Sequence, residues 1–298
     1  MNNSEVKLSI ILPAKNEAAS LGDLLAKVRT LFPLAELVVV DDGSTDDTAS
    51  IATVAGALVV SHPYSKGNGA AIKSGVRAAT GEVLAFMDAD GQHDPEDLKR
   101  LLAKLAEGYD MVVGARARSS QASPWRWLAN AFYNRVASGM VGQRVEDLTS
   151  GLRVAKAHLF REFLQMLPNG FSYPTTSTMA FFRAGYSVGY VPVVVGKRDG
   201  KSHIRLFRDG ARFLLIIFKI GTLYSPLKMF LPISVLFFLL GLINYGYTFM
   251  MEGRFTNMSA LLFISSILVF LIGLVSEQIT HLFYAHLHDS SRSADRQD

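Results

Sequence analysis

Glu82-Val83-Leu84-Ala85-Phe86-Met87-Asp88-Ala89-Asp90-Gly91-Gln92-His93 is the stretch from which the fold can be read. Its first half, Glu82–Met87, is a short apolar run ended by polar residues and reads as a buried strand. Asp88 and Asp90 follow that strand at i and i+2, so their carboxylates can converge on one hard cation. Mg2+ and Mn2+ prefer such oxygen ligands, and diphosphate oxygens can complete the shell. Gln92 adds another oxygen. The plainer reading is an acidic turn that caps a helix starting at Pro95. Asp94 fills that capping position, which leaves Asp88 and Asp90 without a structural task.

The alternation of strand and helix extends outward from this stretch. Upstream, Leu8–Leu12, Glu36–Val40 and Ala57–Ser61 read as strands. Asn16–Phe32, Thr45–Ala55 (opened by Ser44 or Thr45) and Gly69–Thr80 read as helices. Downstream, Pro95–Glu107 reads as a helix and Met111–Gly114 as a strand. Strands joined through helices imply right-handed crossovers and an α/β fold with a mostly parallel sheet. Ligands bind such sheets at the carboxyl ends of the strands. Those ends carry Pro13–Glu17, Asp41–Ser44, His62–Lys66, Asp88–His93 and Gly114–Arg118, so the polar chemistry gathers on one edge. Asp41-Asp42-Gly43-Ser44 offers a carboxylate to a nucleobase edge or a ribose hydroxyl. Lys66-Gly67-Asn68-Gly69, just before a helix, allows close approach to phosphate or base. Further on, Trp125–Val141 reads as a helix, Asp147–Arg153 as a turn, and Phe181–Val195 as the end of a helix followed by a strand.

From Ile204 the pattern changes. Arg205, Arg208, Arg212 and Lys219 share one helical face, and Phe207, Phe213, Leu214, Leu215, Ile216, Ile217 and Phe218 occupy the others. That distribution predicts an amphipathic helix lying on a membrane surface. Met229–Met251 then runs 23 residues without a charge, and Ala260–Ser276 another 17. With its flanking residues, each is long enough to cross ~30 Å of hydrocarbon. Eight Lys or Arg stand against two Asp between Val193 and Lys228, and Arg292 and Arg296 follow the second run. By the positive-inside rule both ends then face the cytoplasm. Met1–Lys7 lacks the basic start and apolar run of a secretory signal.

Composition agrees with a chain that is part membrane. Of 298 residues, 49% are hydrophobic and only 19% charged, with a mean hydropathy of +0.23; soluble domains carry about 25% charge. The absence of cysteine excludes disulfides, Cys-ligated zinc, iron–sulfur clusters and thiol nucleophiles. The net charge of +4 is concentrated in the basic band, which suits an anionic lipid surface rather than nucleic acid.

Taken together, Pro13-Ala14-Lys15-Asn16-Glu17, Val40-Asp41-Asp42-Gly43-Ser44, Lys66-Gly67-Asn68-Gly69 and Asp88–His93 stand in the order and spacing of family 2 glycosyltransferases, which have the GT-A fold. Gly114-Ala115-Arg116, Asp147–Arg153 and Arg198-Asp199-Gly200-Lys201-Ser202 extend the match. The chain resembles the polyprenyl-phosphate branch of that family, which includes dolichol-phosphate mannose synthase, over about residues 8–205. The resemblance implies a nucleotide-sugar pocket built from Pro13, Lys15, Glu17, Asp41, Asp42, Lys66, Gly67 and Ala89. It implies that Asp88 and Asp90 serve the donor diphosphate and a Mg2+ or Mn2+ ion, with Asp90 and Gln92 as metal ligands. Arg116 and Arg126, with Asn130 and Ser150, would meet the acceptor phosphate. Arg198 or its neighbour Lys197, with Ser202, would close over the donor phosphates. Relatives carry Arg-x-x-Gly-x-Ser, whereas Lys197 occupies the Arg position here, and Asn130 stands where relatives can carry Ser.

The implied reaction is inverting transfer of a sugar from a UDP- or GDP-linked donor to polyprenyl phosphate at the cytoplasmic membrane. The expected organisation is a cytoplasmic catalytic domain over 1–203, a juxtamembrane amphipathic region over 204–228, two transmembrane helices over 229–284 and a cytoplasmic tail over 285–298. Membrane lipids are expected partners, nucleic acid is not, and homo-oligomer formation stays open. A processive polysaccharide synthase would need more spans and a Gln-x-x-Arg-Trp motif, which is missing. A nucleotidyltransferase would need a glycine-rich basic loop near the N-terminus, and Leu8–Glu17 has no glycine. The remaining alternatives are transfer to another lipid acceptor and a membrane-anchored sugar-nucleotide binder without catalysis; the intact Asp88–Gln92 segment argues against the binder. The seven histidines form no evident His–Ser–Asp constellation and read as structural, with His93 the exception.

Overall fold

The computed structural model describes residues 7–116, 124–170, 173–196, 218, 221–222 and 224–294, except the side chains of 124–130 and 283–294. The chain divides into two compact units, Met1–His203 and Ile204–Asp298.

In the first unit, β1 (Leu8–Ala14), β2 (Glu36–Asp41), β3 (Leu58–Ser61), β4 (Val83–Phe86), β5 (Met111–Arg116), β6 (Arg153–Lys156) and β7 (Val188–Val193) form one sheet. Their order is β3-β2-β1-β4-β6-β5-β7. β1 is parallel to β2 and β4, β2 to β3, and β5 to β7. β6 runs antiparallel between β4 and β5. The strands are apolar on both faces because helices cover both. Ile10 and Leu12 point to one side, where Leu21, Leu24, Leu25 and Val28 of α1 (Ala18–Leu31) and Leu98, Leu101 and Leu105 of α4 (Glu96–Ala106) join them in one buried cluster. Each such side chain contributes about 1.5–3 kcal/mol when fully buried. Ile11 and Val40 point to the other side and meet α3 (Asn68–Ala78) at Gly75, where a Cβ would overlap Ile11. That glycine lets α3 lie close against the sheet.

Two short helices and a longer pair complete the unit: α2 (Thr48–Val54), α5 (Pro124–Val141), α6 (Ala157–Glu162) and α7 (Tyr173–Arg183). Phe86 stacks on Phe160 at 4.6 Å, and Phe160, Phe181, Phe163 and Tyr186 continue the aromatic cluster. Strand β6 and helix α6 differ from the sequence expectation, which ends a turn at Arg153. β6 has two apolar residues between Arg153 and Lys156, too few for a period to register. α2 also starts later than expected. Ser44 and Thr45 are drawn away to Asn16, and Asp46 accepts the Thr48 amide instead.

The second unit is a helical hairpin. α8 (Pro226–Glu252) and α9 (Asn257–Ala294) are joined by a turn in which Gly253 takes a left-handed conformation, φ +66°, and donates its amide to Phe249. Pro226–Glu252 and Asn257–Leu282 are long and apolar enough to cross a membrane, and each is 17% buried over its most apolar window. Leu236, Ile243, Leu261 and Ile267 are exposed, unlike the residues of a soluble core helix. The helices meet through small residues. Ser234 Oγ donates to the Ser266 carbonyl at 3.0 Å and Ser266 Oγ to the Ser234 carbonyl at 2.9 Å. Gly241 lies against Phe263 and Gly273 against Phe230. Pro226–Lys228 open α8 rather than close a separate amphipathic helix. The basic face of Arg205, Arg208, Arg212 and Lys219 lies outside the described residues.

Candidate active site

The carboxyl ends of β1, β2 and β4 surround a cavity of about 400 Å3. Pro13, Ala14, Lys15 and Glu17 line it after β1. Asp42, Ser65, Gly67 and Asn68 line it between β2 and α3, and Asp88, Ala89 and Asp90 after β4. The sequence therefore brings most of its expected nucleotide-sugar residues to one place. Asp41 and Lys66 stand beside this wall rather than in it. Asp41 Oδ1 accepts the Ser44 amide at 2.9 Å, and the Lys66 ammonium lies 5.9 Å from the Tyr64 ring centroid.

Two side chains from the quoted motifs, Asn16 and Asp42, hold the walls together. Asn16, at φ +56°, accepts the Thr45 amide at 2.8 Å and donates its own amide to Ser44 Oγ at 2.9 Å. Glu17 and Ala18 donate their amides to Thr48 Oγ1 and Asp46 Oδ2. The turn after β1 is thereby tied to the loop after β2. The second knot is Asp42. Its Oδ1 accepts from the Lys66 amide at 2.8 Å and lies 2.7 Å from His62 Nδ1. Its Oδ2 accepts from Ser65 Oγ at 2.7 Å and the Gly67 amide at 2.9 Å. Burial pushes this carboxyl up, but the hydrogen bonds from His62, Lys66, Ser65 and Gly67 outweigh it and hold Asp42 at about 2. With both oxygens doubly used, Asp42 organises the 62–67 loop, a different task from the ligand contact expected of it. His62 Nε2 lies 2.9 Å from Ser74 Oγ on α3. An Asp42–His62–Ser74 line therefore exists, contrary to the expectation of no such constellation, and it ties β2, β3 and α3 together.

The start of α3 also differs from expectation. The Gly69 and Ala70 amides donate to the carbonyls of Gly170 and Asn169 at 3.1 and 2.9 Å. Those helix N-terminal donors are thus taken by protein rather than left for phosphate. Gly67, at φ +99°, packs its bare Cα against Asn169.

Asp88 is the electrostatic centre. Burial, reinforced by Asp90, pushes its carboxyl up against the pull of His93, Arg153 and Arg116. Asp90 has a local task after all: its Oδ1 accepts the Gln92 amide at 3.1 Å. Asp94 Oδ1 accepts the Glu96 amide at 3.1 Å in the turn that leads into α4, while Pro95 rather than Asp94 takes the N-cap position. Gln92 faces an adjoining cavity of about 950 Å3 with Ser20, Lys27, His93 and Gly196. His93 is buried, its Nδ1 has no hydrogen-bond partner among the described residues, and burial pushes its ring down in spite of Asp88 and Asp90.

Arg116, at the end of β5, grips Asp147. Its Nε donates to Oδ2 at 2.7 Å and Nη2 to Oδ1 at 2.9 Å, and Nη2 also donates to Thr149 Oγ1. Arg116 holds Asp147 below the usual carboxylate range although burial raises it. Nη1 is the part of the guanidinium that neither Asp147 nor Thr149 uses. Ser150, expected at the acceptor phosphate, is 1% exposed, and its Oγ has no partner among the described residues. The side chains of Arg126 and Asn130, and all of Lys197, Arg198 and Ser202, lie outside the described residues.

Among the described residues no three His, Asp or Glu side chains form a ready metal cage. Asp88 and Asp90 still fit a hard divalent ion. They are oxygen donors side by side at the cavity wall, and burial disfavours an Asp88 carboxylate that a bound cation would stabilise. Mg2+ commonly takes one or two carboxylates plus substrate phosphates.

The family model for glycosyl transferase family 2 matches residues 9–166, and the GtrB C-terminal hairpin model matches 225–282. The chain belongs to glycosyl transferase family 2, and its sheet is of the GT-A kind. More particularly, it is 35% identical over 168 residues to an undecaprenyl-phosphate 4-deoxy-4-formamido-L-arabinose transferase of Klebsiella pneumoniae, covering 53% of this chain and 51% of that one. The chain thus spans about half the length of that relative. An uncharacterized glycosyltransferase of Mycobacterium bovis is 34% identical over 201 residues, 65% of this chain and 87% of that one. Among solved structures, glucosyl-3-phosphoglycerate synthase of Mycobacterium tuberculosis in complex with Mn2+ and UDP-glucose matches with a TM-score of 0.57 and 26% identity, covering 74% and 79% of the two chains.

Proposed function

We propose that this chain is an inverting glycosyltransferase that moves a sugar from a nucleoside-diphosphate donor to polyprenyl phosphate at the cytoplasmic membrane face. The carrying observation is the cavity edged by Asp88 and Asp90, in a chain that continues into an apolar helical hairpin. Relatives named undecaprenyl-phosphate sugar transferases support the acceptor, and the solved relative with Mn2+ and UDP-glucose supports a metal-assisted nucleotide-sugar donor.

The acceptor needs no strong general base. A phosphate monoester has its second pKa near ~6, so its oxygen is anionic at neutral pH. That oxygen forms a bond to the anomeric carbon as the bond from that carbon to the nucleoside diphosphate breaks. A single in-line displacement inverts the anomeric centre. The protein's task is to align the two phosphates and offset their charge. Pro13–Glu17 hold the nucleotide end of the cavity. Arg116, aimed by Asp147, keeps Nη1 for the incoming phosphate. Asp88 and Asp90 would hold a Mg2+ or Mn2+ ion, which would supply charge neutralisation at the departing diphosphate.

A donor screen with undecaprenyl phosphate, reading out both nucleoside diphosphate and glycolipid, tests this function. One UDP- or GDP-sugar should yield both products in equal amounts. Nucleoside diphosphate without glycolipid for every donor would refute the lipid acceptor.

In this reading 204–225 lies at the membrane surface, Pro226–Glu252 and Asn257–Leu282 cross the bilayer, and the end of α9 with the residues after it, 285–298, is a cytoplasmic tail. A reporter fused after residue 298 should report the cytoplasm, and a tag in Glu252–Ser259 should be labelled from outside. The reverse labelling pattern would overturn that orientation.

A further inference from the structure

Arg153 is fully buried, and the chemistry above leaves it without a task. It opens β6, and its partner across the ladder is Phe86, two residues before Asp88. Its guanidinium holds two segments at once. Nη1 donates to the Pro174 carbonyl at 2.9 Å and to Ser177 Oγ at 2.7 Å on α7, and Nη2 donates to the Ser150 carbonyl. The Tyr173 ring centroid lies 5.5 Å from the guanidinium carbon, and Tyr173 Oη donates to the Gly151 carbonyl at 3.2 Å. Two successive carbonyls, those of Ser150 and Gly151, are therefore fixed from the α7 side. Among the described residues no carboxylate forms an ion pair with Arg153. A buried charge held only by carbonyls and hydroxyls is costly, and a neutral side chain could have filled the space.

The turn that Arg153 fixes touches the reacting end of the site. A Cβ on Gly151 would overlap Asp88 Oδ2 and would stand 3.0 Å from its Cγ. The side-chain oxygens of Asp88 accept no hydrogen bond from the described residues, and the bare Gly151 backbone lies close against the carboxylate. The same turn begins with Asp147, which aims Arg116.

We propose that Arg153 and Gly151 are positioning residues of the donor site: Arg153 pins the 150–151 turn, and the bare Gly151 backbone is the wall that sets the Asp88 carboxylate toward a metal–nucleoside diphosphate. The inference rests on the proposed function and names how its metal end is held. If Arg153 served folding alone, its replacement would lower stability and leave the ligand affinity of the folded protein intact.

The test uses the full chain in detergent, with Mn2+ plus UDP and, separately, Mn2+ plus GDP as probes in titration calorimetry. Thermal unfolding is measured alongside. Gly151→Ala should weaken Mn2+–nucleotide binding by ~10–100-fold, the scale for disturbing a residue that orients a metal ligand. It should also lower the unfolding temperature, and that loss should vanish in an Asp88→Ala background, where the added methyl meets no carboxylate. Arg153→Lys keeps the charge but not the double reach, and should weaken binding in the same direction. If Gly151→Ala alone fails to fold, recovery of folding in the double variant supports the contact, and an unfolded double variant overturns it. Wild-type binding that Gly151→Ala and Arg153→Lys leave intact overturns the inference alone. A wild-type chain that binds neither nucleotide overturns the proposed function and the inference with it.

Discussion

Asp90→Ala is expected to lower turnover by at least ~10²-fold, the scale for removing one preorganised electrostatic group. The change removes a carboxylate from the cavity wall next to Asp88 and with it one of the two oxygen donors proposed for a divalent ion. It also removes the acceptor of the Gln92 amide. Asp90→Asn separates the two effects, because the amide oxygen can still close the Asp90–Gln92 turn while the charge is gone. Both variants should lose turnover, and the Asn variant should keep wild-type thermal stability. Initial rates over a Mn2+ series, with an EDTA control, measure this. Full activity in EDTA, or Asp90→Asn turning over like wild type, would rule out the metal role.

Arg116→Ala should cost both stability and transfer, for separable reasons. It strips the only ion-pair partner that the described residues give Asp147, a buried carboxylate. Leaving such a charge unpaired costs about 3–5 kcal/mol. Replacing both partners by apolar residues of similar volume is often near neutral, so Arg116→Met with Asp147→Leu should recover much of the stability in urea unfolding. It should not recover transfer, because the double variant still lacks the cation proposed for the acceptor phosphate. Recovery of transfer in the double variant would show that Arg116 acts only as a strut.

The sheet edge was legible because its strands are continuous apolar runs that stop at charged residues. Val83–Phe86 followed by Asp88 and Asp90 is the clearest case, and the cavity forms where that pattern placed it. The hairpin was equally plain, since 23 uncharged residues leave few alternatives. What the pattern could not carry were tasks set by tertiary partners. Asp41 and Asp42 are adjacent carboxylates of one motif, yet Asp42 alone is saturated, by donors from His62 to Gly67, some twenty residues away. Gly69 sits in a phosphate-like glycine loop, but its amide meets Gly170, a hundred residues on. β6 was missed because its place between β4 and β5 is fixed by ladder partners rather than by its own composition.

Because β6 stands between β4 and β5, the sheet cannot close in the order in which the chain is made. β5 leaves the ribosome before its neighbour β6 and must wait some forty residues for it. β7 then completes the edge at Val193, and α8 begins at Pro226, about thirty residues later. At roughly 5–20 residues per second of synthesis, the apolar hairpin trails the last strand by about 2–6 s. Small domains fold within microseconds to seconds. The first unit, if it folds on that scale, can bury its own leucines before the most lipophilic segment emerges and begins to compete for them.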